Sequence, residues 1–216
     1  TTLINVGSLV LTSRPVSVDG NGLFHNNGTV VFGAAADPFG NEVNPNAAIV
    51  TASDVSGTSQ INALNEGSYV AMVAPRVQHG GNINVNGSAA LVGAEAATIT
   101  FRTSGLFDIQ VDVGSDARDP ENGNTVVDPI TVTGDITGET PTGDADQHRV
   151  YLVAVPKNEA MTMVISQGAN LGFELAGEAS IDANGAVVLS AGHDIVNGQI
   201  GSESAGSGAA ANFWFT

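Results

Sequence analysis

Apolar positions come in short bursts along this chain, and the bursts resemble one another. Residues 28–34, 67–74, 87–94, 149–154 and 185–192 each run from a Gly or Arg into adjacent Val, Ala, Leu, Met or Tyr. In the clearest pair Met72 answers Leu91 and Val73 answers Val92, 19 positions apart. That spacing is too short for a βαβ unit of about 30 residues and close to one turn of a parallel β-helix. Each copy then buries its apolar side chains only when a neighbour is stacked on it.

Between the bursts lie turn residues, as in Asp19–Gly22, Asn26–Gly28 and Asn44–Asn46. Strands are predicted over residues 3–11, 28–34, 48–51, 60–63, 69–74, 82–85, 89–92, 98–101 and 106–111, and no stretch keeps a helical period for three turns. Helix content is expected near zero. Alternation over 82–86 points Ile83 and Val85 to one face, inward, and Asn82, Asn84 and Asn86 outward. The texture changes over about 112–148, where nine acidic residues face Arg118 alone. With residues 125–127 and 130–133 as its strand candidates, the expectation is an acidic insertion that leaves the stack as a hairpin or loop and returns at Val150. The fold class predicted is all-β, a right-handed parallel β-helix over 1–200 with this extra-helical insertion. Residues 201–216 follow as a flexible Gly/Ser tract with an aromatic terminal segment.

Composition narrows the functions. Aromatic residues make up 5% of the chain and charged residues 13%, so Val, Ala, Ile and Leu must fill a narrow interior. A net charge of −16 opposes binding to nucleic acid, which needs clustered Lys and Arg, and opposes docking on an anionic bilayer. No uninterrupted apolar run reaches the 18 residues a membrane-spanning helix needs. Cysteine is absent, so the fold rests on its core without disulfides. No basic-flanked signal peptide opens the sequence at Thr1, so such a segment is expected to be processed away or to lie upstream.

Residues 4–10, 67–77, 80–94 and 181–198, in this order, resemble the secretion domain and first coils of the filamentous haemagglutinin family, the exoproteins of Gram-negative two-partner secretion. The resemblance covers about 1–111 and 149–200. It implies a secreted or cell-surface adhesin, exported through an outer-membrane transporter as partner. It also implies attachment to a surface glycan or protein receptor, or surface assembly. Asn44, Pro45 and Asn46 match the family's second transporter-recognition motif in part, with Ala47 where Leu is usual. The family's first motif, Asn-Pro-Asn-Gly, is absent, which places the amino-terminal cap upstream of Thr1 or among processed residues.

Candidate chemistry is sparse, and no enzyme activity is expected. Asp112, Asp116, Asp119, Glu121 and Asp128 offer oxygen ligands for Ca²⁺, which takes six to eight. Neither EF-hand spacing nor a Gly-Gly-x-Gly-x-Asp repeat is present, so a solvated acidic loop without cofactor is favoured over a cation site. A carbohydrate-active β-helix enzyme is the third reading, but Arg14, Arg76, Arg102, Arg118, Arg149 and Lys157 are scattered. His25, His79, His148 and His193 lie in or beside turns without ligand spacing and read as exposed. Asn27 and Asn86 head glycosylation sequons that also suit sharp corners. Phe213, Trp214 and Phe215 either begin another coil or anchor on a second subunit. The second functional reading is therefore a structural subunit that self-associates into an extracellular filament through open strand edges.

Overall fold

The computed structural model describes residues 2–18, 27–33, 46–54, 57–102, 106–116, 118, 127–137, 149–155, 163–165, 179–181, 187–189, 194–196 and 199–201. Among these the protein is all-β, with no helix. No helix among them is long and apolar enough to cross a membrane. The strands are β1 (Leu3–Asn5), β2 (Leu9–Thr12), β3 (Val16–Val18), β4 (Gly28–Phe32), β5 (Ala48–Thr51), β6 (Ser53–Asp54), β7 (Gly57–Thr58), β8 (Gln60–Ala74), β9 (Arg76–His79) and β10 (Asn82–Phe101). They continue as β11 (Phe107–Gly114), β12 (Ile130–Val132), β13 (Asp135–Thr137), β14 (Val150–Ala154), β15 (Met163–Ile165), β16 (Ala179–Ile181), β17 (Val187–Leu189), β18 (Asp194–Val196) and β19 (Gln199–Gly201). The last four form two antiparallel pairs, as do β6 and β7.

Three parallel ladders organise residues 3–165. In the first, Ile4, Ile61, Ile83 and Ile136 fall in register across β1, β8, β10 and β13. In the second, Leu11, Met72, Leu91 and Leu152 do the same across β2, β8, β10 and β14. In the third, Ile49, Val77, Ile130 and Met163 align across β5, β9, β12 and β15. The chain thus visits the ladders in the same order four times, and the expected pairing of Met72 with Leu91 and Val73 with Val92 is the observed one. Alternation explains the packing. Ile61, Ala63, Val70, Met72, Val77, Ile83, Val85, Leu91, Ile130, Ile136 and Leu152 share one aliphatic cluster drawn from all three ladders. Each fully buried side chain of this kind contributes roughly 1.5–3 kcal/mol relative to exposure.

Corners are tight where the passes stack. A Cβ at Gly87 would stand 1.7 Å from the Ser68 carbonyl oxygen, so only glycine fits there. Asn86 departs from the expected outward orientation. A register irregularity between Val85 and Gly87 turns it into the protein, and its Nδ2 donates to the Leu64 carbonyl at 3.2 Å. On the outer side of the first ladder a polar row runs across four passes. The Thr137 hydroxyl donates to Asn84 Oδ1 at 2.9 Å, Asn84 Nδ2 to Asn62 Oδ1 at 2.9 Å, and Asn62 Nδ2 to Asn5 Oδ1 at 2.8 Å.

The sheets are mixed rather than uniformly parallel, because β10 does not stop at the end of its pass. It runs on to Phe101, where its second half pairs antiparallel with β4 and β11, and β3 pairs with β4. The resulting order is β3-β4-β10-β11. This antiparallel layer covers the outward side chains of the second ladder. Val30, Phe32, Ile99, Phe101 and Phe107 from the layer pack with Ala71, Val73, Ala90, Val92, Tyr151 and Val153 from the ladder. The hairpin therefore begins ahead of the acidic stretch and overlaps it at 112–114. Within that stretch β12 and β13 join the parallel ladders, because Ile130, Val132 and Ile136 carry the inward alternation.

Candidate functional site

Both antiparallel excursions leave the ladders at the same corner, between the second ladder and the third. In the second pass Pro75 alone turns it. In the first pass the chain leaves near Ser13 and is back by Ala47, whose carbonyl accepts from Ser13 Oγ at 3.5 Å. In the third it leaves at Gly93 and returns at Pro129, close enough that a Cβ on Gly93 would lie 2.6 Å from the Pro129 side chain. The Pro129 carbonyl then accepts from Val77 N at 2.7 Å, which seats the returning chain on the pass before it.

Polar groups hold this neck. Ser115 N donates to the Val155 carbonyl at 2.8 Å and Ser115 Oγ to the Pro75 carbonyl at 2.6 Å, so one buried serine ties the excursion to two other passes. Glu95 is fully buried, and its Oε1 accepts the Asp116 backbone N–H at 3.1 Å across the base of the hairpin. Arg118 Nη2 pairs with Asp116 Oδ1 at 2.5 Å, and Arg118 N donates to Asn46 Oδ1 at 3.0 Å. Arg14 is buried where the first excursion begins. A buried carboxylate is tolerated only where donors meet it, so these groups fix the neck in place.

Of the transporter-recognition residues, Asn46 is exposed in a turn beside this neck, and Asn44 and Pro45 lie outside the described residues. Of the acidic candidates, Asp119 and Glu121 also lie outside them. Asp112 sits on the exposed face of β11, where Thr98 Oγ1 donates to one carboxylate oxygen at 2.7 Å and Gln110 Nε2 to the other at 2.9 Å. Asp116 is taken up by Arg118, and Asp128 is half-buried just before β12. Among the described residues no three His, Asp or Glu side chains converge as metal ligands. Phe213, Trp214 and Phe215, with Lys157, His25, His148 and His193, lie outside the described residues. Arg102 pairs with Asp108 on the hairpin surface. Asn27 is exposed with a φ of 62°, the left-handed corner its sequence suits, whereas Asn86 is buried away from modifying enzymes.

Buried ionisable groups escaped the sequence reading, His79 and Glu95 among them. His79 is 1% exposed rather than a surface histidine. The alternation Arg76-Val77-Gln78-His79 contains the signal, since His79 shares its parity with the inward Val77. Glu95 lies in a run of small residues with no partner at a charge-pair spacing, and only the fold reveals its burial. Burial pushes the Tyr69 and Tyr151 phenols above 10, with a Phe107 backbone hydrogen bond and Arg149 pulling the second back, so both stay neutral near neutral pH.

Compared with protein-family models, curated proteins and solved structures, the chain matches none of them.

Proposed function

We propose that the three ladders are the faces of a right-handed parallel β-helix. On this reading the chain is a non-catalytic module of a secreted or surface-exposed exoprotein of the filamentous haemagglutinin type. Its work is attachment to a glycan or protein on a surface. Its partner in export is an outer-membrane two-partner-secretion transporter of a Gram-negative bacterium, with Asn46 and its neighbours Asn44 and Pro45 as the segment that meets it.

The observation that carries this reading is the fourfold return of Ile4, Ile61, Ile83 and Ile136 in one register, which is the pattern a stack of equivalent passes requires. The polar groups at the neck support a structural role, because the Ser115 bonds and the Arg118–Asn46 bond join one pass to another while Glu95 braces the base of the hairpin. A second reading, a subunit that polymerises into an extracellular filament, is favoured by one observation. Among the described residues strands β1, β2 and β5 are edge strands, and Leu3 and Val50 on them are exposed.

Negative-stain electron microscopy of the full chain beside a version ending at Ala211, over a concentration series, separates the two. Isolated short rods in both samples are expected for the adhesin module. Filaments that disappear without Phe213–Phe215 favour the polymerising subunit, and round particles in both samples overturn the β-helix itself.

A further inference from the structure

His79 closes β9 at a corner where three passes meet. Its Nδ1 lies 2.7 Å from Thr51 Oγ1 on β5 and its Nε2 lies 2.9 Å from the Asp135 carbonyl oxygen at the start of β13. A carbonyl can only accept, so Nε2 carries the ring proton and donates it. Nδ1 is then the lone pair that accepts from the Thr51 hydroxyl. The surrounding backbone is equally committed. Gly80 N donates to the Thr51 carbonyl at 2.7 Å, and Thr133 N and Gly134 N donate to the His79 carbonyl at 2.8 and 3.1 Å.

The backbones of this corner are closely stacked, and the ring itself is buried from water. A Cβ on Gly134 would lie 2.1 Å from the Gly81 carbonyl oxygen, and one on Gly81 2.5 Å from the Ser59 carbonyl oxygen. Facing the ring, β5 brings Thr51 and β12 brings Val132, while β13 brings Asp135, the one charged group among the described residues there. On its own strand Arg76 has the opposite parity. A second proton on the ring goes to Nδ1. The Thr51 hydroxyl must then reverse to accept, and the imidazolium is left without water.

We propose that His79 is an acid-operated latch, whose protonation releases β5, the edge strand of the third ladder among the described residues, together with Asn46 and Ala47 just ahead of it. The electrostatics have the matching sign. Burial holds the ring below its ordinary value of 6.5, against the Asp135 carbonyl bond and the Asp135 charge, which pull it up. A depressed folded value means that the unfolded or opened state binds the proton first. The latch therefore contributes fully above 6.5 and weakens as pH falls from 6.5 towards the folded value.

Amide hydrogen exchange on the full chain tests this. The protection factor at Gly80 N is expected to fall by about tenfold between about pH 7.5 and about pH 5, while that at Val92 N, deep in β10, holds. In His79→Gln, which keeps a donor for the Asp135 carbonyl without a titrating ring, the fall should be absent. The same fall in the variant overturns the latch. If the variant does not fold, the wild-type ring decides by its NMR titration. A midpoint below 6.5 that tracks the loss at Gly80 upholds the proposal, and a midpoint at or above 6.5, or one with no matching loss, overturns it.

Discussion

Two apolar clusters share the second ladder, one on each side of it, and their chemistry differs. The inner one is built from Ile, Val, Leu, Ala and a single Met, with no aromatic residue. The outer one holds Phe32, Phe101, Phe107 and Tyr151, with Tyr69 packed against it, which are all of the aromatic residues among the described ones. Geometry accounts for the division. Inside, identical spacing between passes repeats each side chain on its own kind, and branched aliphatics stack at that distance without leaving voids. Outside, a separate antiparallel sheet sets its own distance, and rings can meet edge to face. The centroids of Phe101 and Phe107 lie 5.5 Å apart at 88°, and those of Phe107 and Tyr151 lie 5.5 Å apart at 70°. The inner cluster joins passes to one another, and the outer one fastens an added layer onto a finished stack.

If that division holds, damage to the two sides should differ in reach as well as in size. The largest effect is expected for Val85→Asp, which puts an unpaired carboxylate into the inner cluster. It should cost several kcal/mol and abolish the cooperative melt seen by circular dichroism. Next comes Phe101→Ala, at about 3–5 kcal/mol. Here the loss should stay local, with exchange protection lost at Ile99 and Ile109 but kept at Leu91 and Ile83. Equal loss at all four would make the two clusters one cooperative unit and end the comparison. Gly87→Ala forces the second and third passes apart at a corner, and a cost of about 1–3 kcal/mol is expected in chemical denaturation. The smallest change is Asn62→Ala, which cuts the outer polar row at its middle. Its partners are partly solvated, so about 1 kcal/mol or less should be lost from the denaturation midpoint.

The inner side was legible in the sequence because parity and repetition agree there. Ile83 and Val85 alternate with polar residues, and residues 67–74 and 87–94 repeat a phrase, so register follows from matching like to like. The outer layer was harder to see. Gly93 stands where β10 leaves the parallel ladder, but no Gly, Pro or Asn within residues 94–101 sets the antiparallel half apart as a separate strand, and both halves have strand-like composition. Strand β12 was legible as the candidate over 130–133, whereas β13 was hidden, being three residues long within a run of acids and turn residues. The neck depended on neither pattern. Ser115, Glu95 and Arg118 act through backbone groups far away in sequence, and such contacts leave no local spacing to read.

The corner at Pro75 also bears on how such a chain can change. One pass crosses it with a single proline, while its neighbours leave at Ser13 and Gly93 and are back in the ladders by Ala47 and Pro129. The stack registers none of that difference in length. Loop-closure entropy grows so slowly that doubling an excursion costs only about 0.6 kcal/mol. Sequence can therefore be gained, lost or rewritten at this one address while every ladder keeps its register, leaving the outward surface to diversify under selection on a frame that stays the same.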